Sequence, residues 1–425
     1  MILLIIAILL FLIILGMPIS FALGTSSLVY LLIEGYDLSM VTQSIVGGVN
    51  SFTILAVPFF LMVGELMNFG GITDRIIRMA RVLVGHFKGG LAQVNILASL
   101  FFSGISGSAT ADTVALGSVL IPSMKKEGYD DRFAAAITAA SSIVGPIIPP
   151  SITLIIFGIT TQQPIGPLLM AGIVPGVMIA LSLMVYTYFV SAKRGYPQYP
   201  RATFREGRKA FGQGIAALLM PLIIIGGVLS GVFTATESAA VAVFYGIVIG
   251  VFYYRNIDLK GFVGIVKRSS VESANILFVL ASASIFAWVV TRARISTVVA
   301  DFVLGFSTNP TIIMILLILF LLLIGLFMLP SEAILVFAPI LTPLAAQVGV
   351  NPIHFGVLMV LTLTIGGATP PVGILLYIVA DIGKVPFMKL VRSMGPFYIP
   401  LLIAVLITAF IPQLTMYIPN LFFLE

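Results

Sequence analysis

Apolar positions along this chain run in long unbroken stretches, without the alternation of a half-buried strand. Stretches of roughly 20 apolar residues are the length an α-helix needs to cross a bilayer. Residues 1–17, 20–35, 52–68, 132–160, 166–190, 212–232, 236–254, 273–291, 352–380 and 397–418 meet that description. Two further apolar stretches, about 90–124 and 310–345, are interrupted by Gly, Ser or Pro, and each contains an acid, Asp112 and Glu332. Irregular backbone survives at membrane depth only where protein or a watery cavity covers it. The pattern therefore predicts an all-α polytopic membrane protein with two re-entrant helical hairpins.

Polar positions set the orientation. Basic residues cluster at Arg75–Lys88, Lys125–Arg132, Lys193–Lys209, Arg255–Arg268 and Lys384–Arg392. The span assignment puts all five clusters on one face, which is therefore cytoplasmic. Both termini then fall on the outer face. Residues 191–211 read as a basic cytoplasmic linker between two halves. Arg292 and Arg294 fall on the wrong side for this rule and read as an amphipathic arm or, for Arg292, as a contact to an anionic substrate.

Composition narrows the class. Of 425 residues, 60% are hydrophobic and 9% charged, against about 25% charged in a soluble domain. The surface must therefore face lipid. Met1–Leu15 lacks a basic leader and a small-residue cleavage site, and reads as a first span, not a signal peptide. There is no cysteine, which excludes thiolate metal sites, disulfides and thiol nucleophiles. No phosphate-binding Gly-Lys-Ser/Thr loop is present, so this chain does not hydrolyse ATP. No H-E-x-x-H stretch or nucleophile elbow suggests an enzyme, and no nucleic-acid partner is expected.

The chain repeats itself. Pro122 and Pro343, Gly128 and Gly349, Gly145 and Gly366, Pro149 and Pro370, and Gly104 and Gly325 are each separated by 221 positions. One gapless offset across five matches, including a Pro-Pro pair, argues for duplication. Each half then holds five crossings and one hairpin. Five is odd, so the second half is expected upside down relative to the first. Inverted repeats place binding sites at their interface near the midplane of secondary transporters. The halves are expected at 1–190 and 212–425, with hairpins at about 90–124 and 310–345 and broken spans at 132–160 and 352–380.

The candidate chemistry lies in those hairpins and spans. The first tip, Ser103 to Asp112, is dense in small and hydroxyl residues. Glycine lets neighbouring carbonyls converge, and a hard cation prefers oxygen ligands (a rule stated for calcium and magnesium and extended here to sodium). No continuous helix passes through Gly145-Pro-Ile-Ile-Pro-Pro150 or Gly366-Gly-Ala-Thr-Pro-Pro371. Each break exposes carbonyls at one half-helix end, suited to a cation, and N–H groups at the other, suited to a carboxylate. Asp112 and Glu332 read either as groups that tune a cation site or as helix N-caps. Glu65 and Glu237 read as caps or interface acids, His86 and His354 as interfacial or packed residues, and Trp288 as an interface anchor.

These residues resemble a family. Ser103–Asp112, Gly145–Ser151, Phe233–Ala240 and Gly366–Gly373 together resemble the large membrane subunit of tripartite ATP-independent periplasmic (TRAP) transporters, over essentially the whole chain. The resemblance implies a bacterial inner-membrane permease working by an elevator motion. A transport domain of about 88–165 plus 306–383 would move against a scaffold formed by the remainder. Sodium would be co-transported, with no other cofactor. One sodium site would use Ser103, Ser106, Gly145, Ile148 and Pro150; a second would use Gly325, Met328, Gly366, Thr369 and Pro370. A small carboxylate (a C4-dicarboxylate, sialic acid or sugar acid) would lie between the tips, near Ser108, Thr110, Ser151, Ser331 and Arg292. A separate small four-span subunit, a periplasmic substrate-binding protein and membrane lipids are the expected partners. A stand-alone sodium–dicarboxylate elevator symporter and a channel or structural membrane protein are the competing readings.

Overall fold

The computed structural model describes residues 2–423, so Met1, Leu424 and Glu425, at the ends of the expected halves, lie outside the described residues. In the first half, α1 (Ile2–Ile14), α2 (Ile19–Glu34) and α3 (Ser39–Val49) lead through a 3-10 turn at Phe52–Leu55 into α4 (Ala56–Phe69) and α5 (Ile72–Val84). The first hairpin is α6 (Gly90–Ser106) and α7 (Ala109–Lys126). The first broken span is α8 (Asp131–Ser142) and α9 (Ile152–Thr161), followed by α10 (Ile165–Ala171) and α11 (Ile173–Arg194).

The second half opens with α12 (Phe204–Leu229), α13 (Ala235–Ile247, continuing through a π turn at Val248–Tyr253), α14 (Leu259–Arg292) and α15 (Ile295–Phe306). Its hairpin is α16 (Pro310–Gly325) and α17 (Pro330–Gln347), and its broken span is α18 (Pro352–Gly367) and α19 (Ile374–Gly383). It ends with α20 (Phe387–Met394), α21 (Tyr398–Phe410) and α22 (Gln413–Phe422). Among the described residues, 6 helices are individually long and apolar enough to cross a membrane. The remaining apolar segments are shorter pieces, separated by breaks.

The repeat survives in the helix boundaries. Shifting α7 by 221 positions gives 330–347, the bounds of α17. Asp130 caps α8 and Asn351 caps α18, each accepting backbone N–H groups. Gly128 and Gly349 both take left-handed backbone, φ 86° and 82°, just before those caps. Pro149–Pro150 and Pro370–Pro371 are both cis. The halves diverge at α14, a single helix of 34 residues where the first half has α3, a turn and α4. Asn50, Ser51 and Pro58 break the helix in the first half, and Val271, Glu272 and Val279 stand at the equivalent positions.

Two packed groups result. In one, α14 packs against α2, α3 and α4, and α13 against α4 and α12. In the other, α7 packs on α19 while α17 packs on α9. That exchange is reciprocal under the 221-residue shift, as a two-fold axis between the halves would require. Helices α11 and α21 pack on each other and on α6 and α18, so 166–190 and 397–418 sit with the hairpins and not with the remaining helices. The short turns that join them to the broken spans leave them no other place. The groups meet directly where α14 packs on α17 and α4 on α6 and α9, and also through α5, which lies between α12 and α6, and α15, which lies against α17.

Three polar assignments resolve here. Glu65 is not a cap; it accepts from Arg268 Nε at 2.7 Å and ties α4 to α14. Glu237 is a cap, forming a capping box with Thr234 at the start of α13. The expected linker 191–211 is largely helical, because Gly195 ends α11 and a Thr203–Glu206 capping box starts α12, leaving 195–203 between them. The Glu65–Arg268 pair is partly exposed, and such pairs contribute about 0–1 kcal/mol. Glu65→Gln is therefore expected to leave detergent thermal stability within about 1 kcal/mol of the parent, as read by the unfolding midpoint.

Candidate functional site

The first tip is organised around a buried acid. Asp112 lies in the first turn of α7 and is fully buried. It is not the cap of that helix; Ser108 is, accepting from the Ala111 N–H. One Asp112 oxygen accepts the Ser106 hydroxyl. The other has no hydrogen-bond partner. A Cβ at Gly145 would lie 2.7 Å from that free oxygen, so only glycine fits beside it. Gly107, with φ 60°, turns the chain against the broken span, where a Cβ would lie 2.3 Å from the Pro150 carbonyl oxygen. Ser106, Asp112, Gly145 and Pro150 therefore converge.

A buried carboxylate oxygen without a partner is costly, and a bound cation would compensate it. The set is oxygen-rich, as a hard cation requires. The side chains of two of the expected ligands, Ser103 and Ile148, make other contacts. Ser103 turns its hydroxyl back onto the Ser99 and Leu100 carbonyls, at 2.7 and 2.8 Å. The Ile148 side chain packs towards Gly176, where an added Cβ would lie 2.4 Å away.

The second tip is built by close packing. A Cβ on Gly325 would lie 2.9 Å from Gly366 Cα and 2.6 Å from the Leu363 carbonyl oxygen, so α16 and α18 touch backbone to backbone. Met328 is buried beside them. The Thr369 N–H donates to the Gly366 carbonyl at 2.8 Å and its hydroxyl to the Ile365 carbonyl at 2.7 Å. Pro370 follows at the cis break. The position equivalent to Asp112 is Ala333, so the second tip has no acid there. Glu332 stands in the first turn of α17, where an acid complements the helix N-terminus.

Between the tips lies a cleft of about 110 Å³. Its walls include Ser108 and Thr110 from α7, Thr153 from α9, Ser331 from α17, and Ile374 and Leu375 from α19. Four helix N-termini thus face one space. Thr110, Thr153, Ser331 and Leu375 each stand two residues past the cap of their helix. No charged side chain lines the cleft. N–H groups at converging helix N-termini suit a carboxylate, while the Ser108 and Thr110 hydroxyls bond each other at 3.0 Å.

Of the residues expected near the substrate, Ser108, Thr110 and Ser331 line this cleft and Ser151 and Arg292 do not. Ser151 is fully buried behind the cleft, capping α9 through the Leu154 N–H at 3.0 Å and donating to the Pro146 carbonyl. Thr153 takes the place expected of it, and the signal was its spacing: the second residue past the cap, matching Thr110. Arg292 ends α14, far from the tips in the chain's packing. Its Nε donates to the Tyr36 hydroxyl at 2.7 Å, with its guanidinium over that ring. It is absent from the cleft lining.

A larger cavity, about 1070 Å³, separates the two groups. Ser51, Ser284 and Trp288 line one wall, and the 160–163 turn and the Leu335–Ala346 face of α17 line the other. Trp288 meets Tyr36 edge-on at 5.3 Å, so it stands on this wall and not as an isolated membrane anchor. His354 is buried, its Nδ1 2.7 Å from the Thr415 hydroxyl, while His86 lies against Phe87.

Helix N-termini gathered on a cleft inside a bundle of apolar helices mark a multi-pass membrane protein. The family model of the DctM component of tripartite ATP-independent periplasmic transporters matches residues 6–414. The chain is 42% identical over 408 residues to the sialic acid TRAP transporter large permease protein SiaM of Vibrio cholerae, covering 96% of each. It is 36% identical over 402 residues to the 2,3-diketo-L-gulonate TRAP transporter large permease protein YiaN of Escherichia coli, covering 94% of each. Among solved structures, the YdaH transporter of Alcanivorax borkumensis aligns with a TM-score of 0.64 over 88% of each chain at 15% identity, a likeness of fold. The chain belongs to the DctM family and is the large permease subunit of a TRAP transporter.

Proposed function

We propose that this subunit carries a small carboxylate, with sialic acid the leading candidate and sugar acids and C4-dicarboxylates behind it, across the bacterial inner membrane in symport with sodium. The convergence of four helix N-termini on a cleft without charged side chains carries this reading. A fixed cation there would have to be desolvated in every cycle, whereas backbone N–H groups bind a carboxylate and release it without that penalty. The orphaned Asp112 oxygen beside the cleft supports a coupling-cation site at the first tip. The 42% identity with a sialic acid permease supports the choice of substrate.

The motion proposed is an elevator. The hairpins, broken spans and their attached helices would move as one group against the remaining helices, along the α4–α6, α4–α9 and α14–α17 contacts, with α5 and α15 between them. The reciprocal α7–α19 and α17–α9 contacts support inverted halves. The partners proposed are a small four-span subunit against the lipid-facing helices and a soluble binding protein on the outer face.

Reconstitution tests the reading. Proteoliposomes holding this chain and its small subunit should take up labelled sialic acid only with an inward sodium gradient and a cognate binding protein. Uptake without the binding protein would favour a stand-alone symporter, and uptake indifferent to sodium would favour a channel. At the cleft, Thr153→Ala is expected to raise the KM for substrate by roughly 3- to 10-fold, the loss of one hydrogen bond. Half-maximal sodium should be unchanged in the same assay.

A further inference from the structure

Residues 195–203 leave α11, cross the base of the first hairpin and enter α12. They are docked there. The Gly90 N–H donates to the Pro197 carbonyl, and the Tyr199 N–H to the Gly85 carbonyl, each at 3.0 Å. The Tyr129 hydroxyl donates to the same Pro197 carbonyl at 3.3 Å, and the Asp130 N–H to the Tyr196 hydroxyl at 3.3 Å. The Tyr199 hydroxyl donates to Glu127, at the end of α7. The Arg81 guanidinium, in the last turn of α5, lies 4.9 Å from the centre of the Tyr199 ring.

The ring has space only because two neighbours lack side chains. A Cβ on Gly85 would lie 3.2 Å from it, and one on Gly90 2.9 Å. Tyr199 thus touches the connecting helix α5, both arms of the first hairpin, and the segment leading to α12. Among the described residues, the second hairpin has no such strap. Its base at 307–310 makes local bonds, from the Asn309 N–H to Ser307 Oγ and from the Thr311 N–H to Asn309 Oδ1.

The docking limits travel. With Tyr199 held, residues 200–203 alone connect the hairpin base to α12, a tether of at most roughly 14 Å. With 195–203 released, the reach is roughly 30 Å.

We propose that Tyr199 is a clasp on the elevator. Closed, it fixes the joint between α5 and the first hairpin and holds the arrangement in which the 1070 Å³ cavity stands open at the end opposite the basic clusters; it releases when the hairpin group moves. This proposal rests on the two-group motion proposed above.

The absence of cysteine makes a clean test possible. Ala346→Cys places one thiol on the exposed cavity wall. Its rate of labelling by a membrane-impermeant maleimide from the outer face reports the open arrangement, in the chain reconstituted with its small subunit. Tyr199→Phe keeps the ring and loses the bond to Glu127, and Tyr199→Ala loses both. Labelling is expected to fall by up to roughly tenfold in Tyr199→Ala, with Tyr199→Phe between it and the parent. Should Tyr199→Ala not fold, Tyr199→Phe and Arg81→Gln each still predict a fall. Unchanged labelling in these variants, while sodium plus substrate alters it in the parent, overturns the clasp and leaves the motion standing. Labelling that sodium plus substrate does not alter in the parent overturns the motion and the clasp with it.

Discussion

Asp112→Asn is expected to raise the sodium concentration for half-maximal uptake by roughly 10- to 100-fold. The substitution keeps shape and removes charge. In the native chain, one Asp112 oxygen accepts the Ser106 hydroxyl and the other faces Gly145 with no donor. An arrangement that leaves a buried carboxylate half-satisfied is unfavourable unless a cation or a proton completes it. Loss of one charge-assisted contact corresponds to about 1.5–3 kcal/mol, or roughly 10- to 100-fold in sodium affinity. Uptake measured against sodium concentration, with gel filtration to confirm the fold, reads this directly. If half-maximal sodium stays within the scatter of the parent value, Asp112 is not part of a cation site.

Gly325→Val is expected to prevent accumulation of folded protein. The Cβ alone would lie 2.6 Å from the Leu363 carbonyl and 2.9 Å from Gly366 Cα, both main-chain atoms that cannot swing aside. Overpacking a core of this density costs about 1–3 kcal/mol or more. A β-branched side chain adds to that. Gly366→Ala meets the same contact from the other side, at 2.6 Å from Gly325 Cα. It is therefore a packing variant and a poor probe of ion binding, even though it stands at an expected sodium ligand. Gly305→Ala is the control, with nothing within 4 Å of its added Cβ. In the last turn of α15 it should be neutral or stabilising by up to about 1 kcal/mol. Membrane yield and detergent unfolding of the three variants separate these outcomes.

Much of the architecture was legible because the bilayer imposes it. The hairpins expected at about 90–124 and 310–345 match α6–α7 and α16–α17 closely. The proline runs end α8 and α18 where no helix can continue. The site was legible in part. Hydroxyl residues at Ser106, Ser108, Thr110 and Ser331 announced themselves by standing in apolar surroundings. Thr153 did not, because it follows a proline run that already drew attention to Ser151. Arg292 misled for the opposite reason. A cation near an expected anion site is a natural partner on charge alone, but charge in a sequence carries no address in space.

Local chemistry and the demands of lipid on the backbone were thus written in the linear chain: where helices run, where they must break, and that the halves repeat. These depend on neighbours within a few positions or on a fixed offset. What belonged to the tertiary structure was which of those ends meet. Gly325 lies against Gly366, Gly107 against Pro150, and Tyr199 against Gly85 and Gly90, because helices distant in sequence pack at backbone distance. Four helix N-termini share one cleft for the same reason. Such contacts arise from close packing between surfaces, and no local pattern encodes the partner.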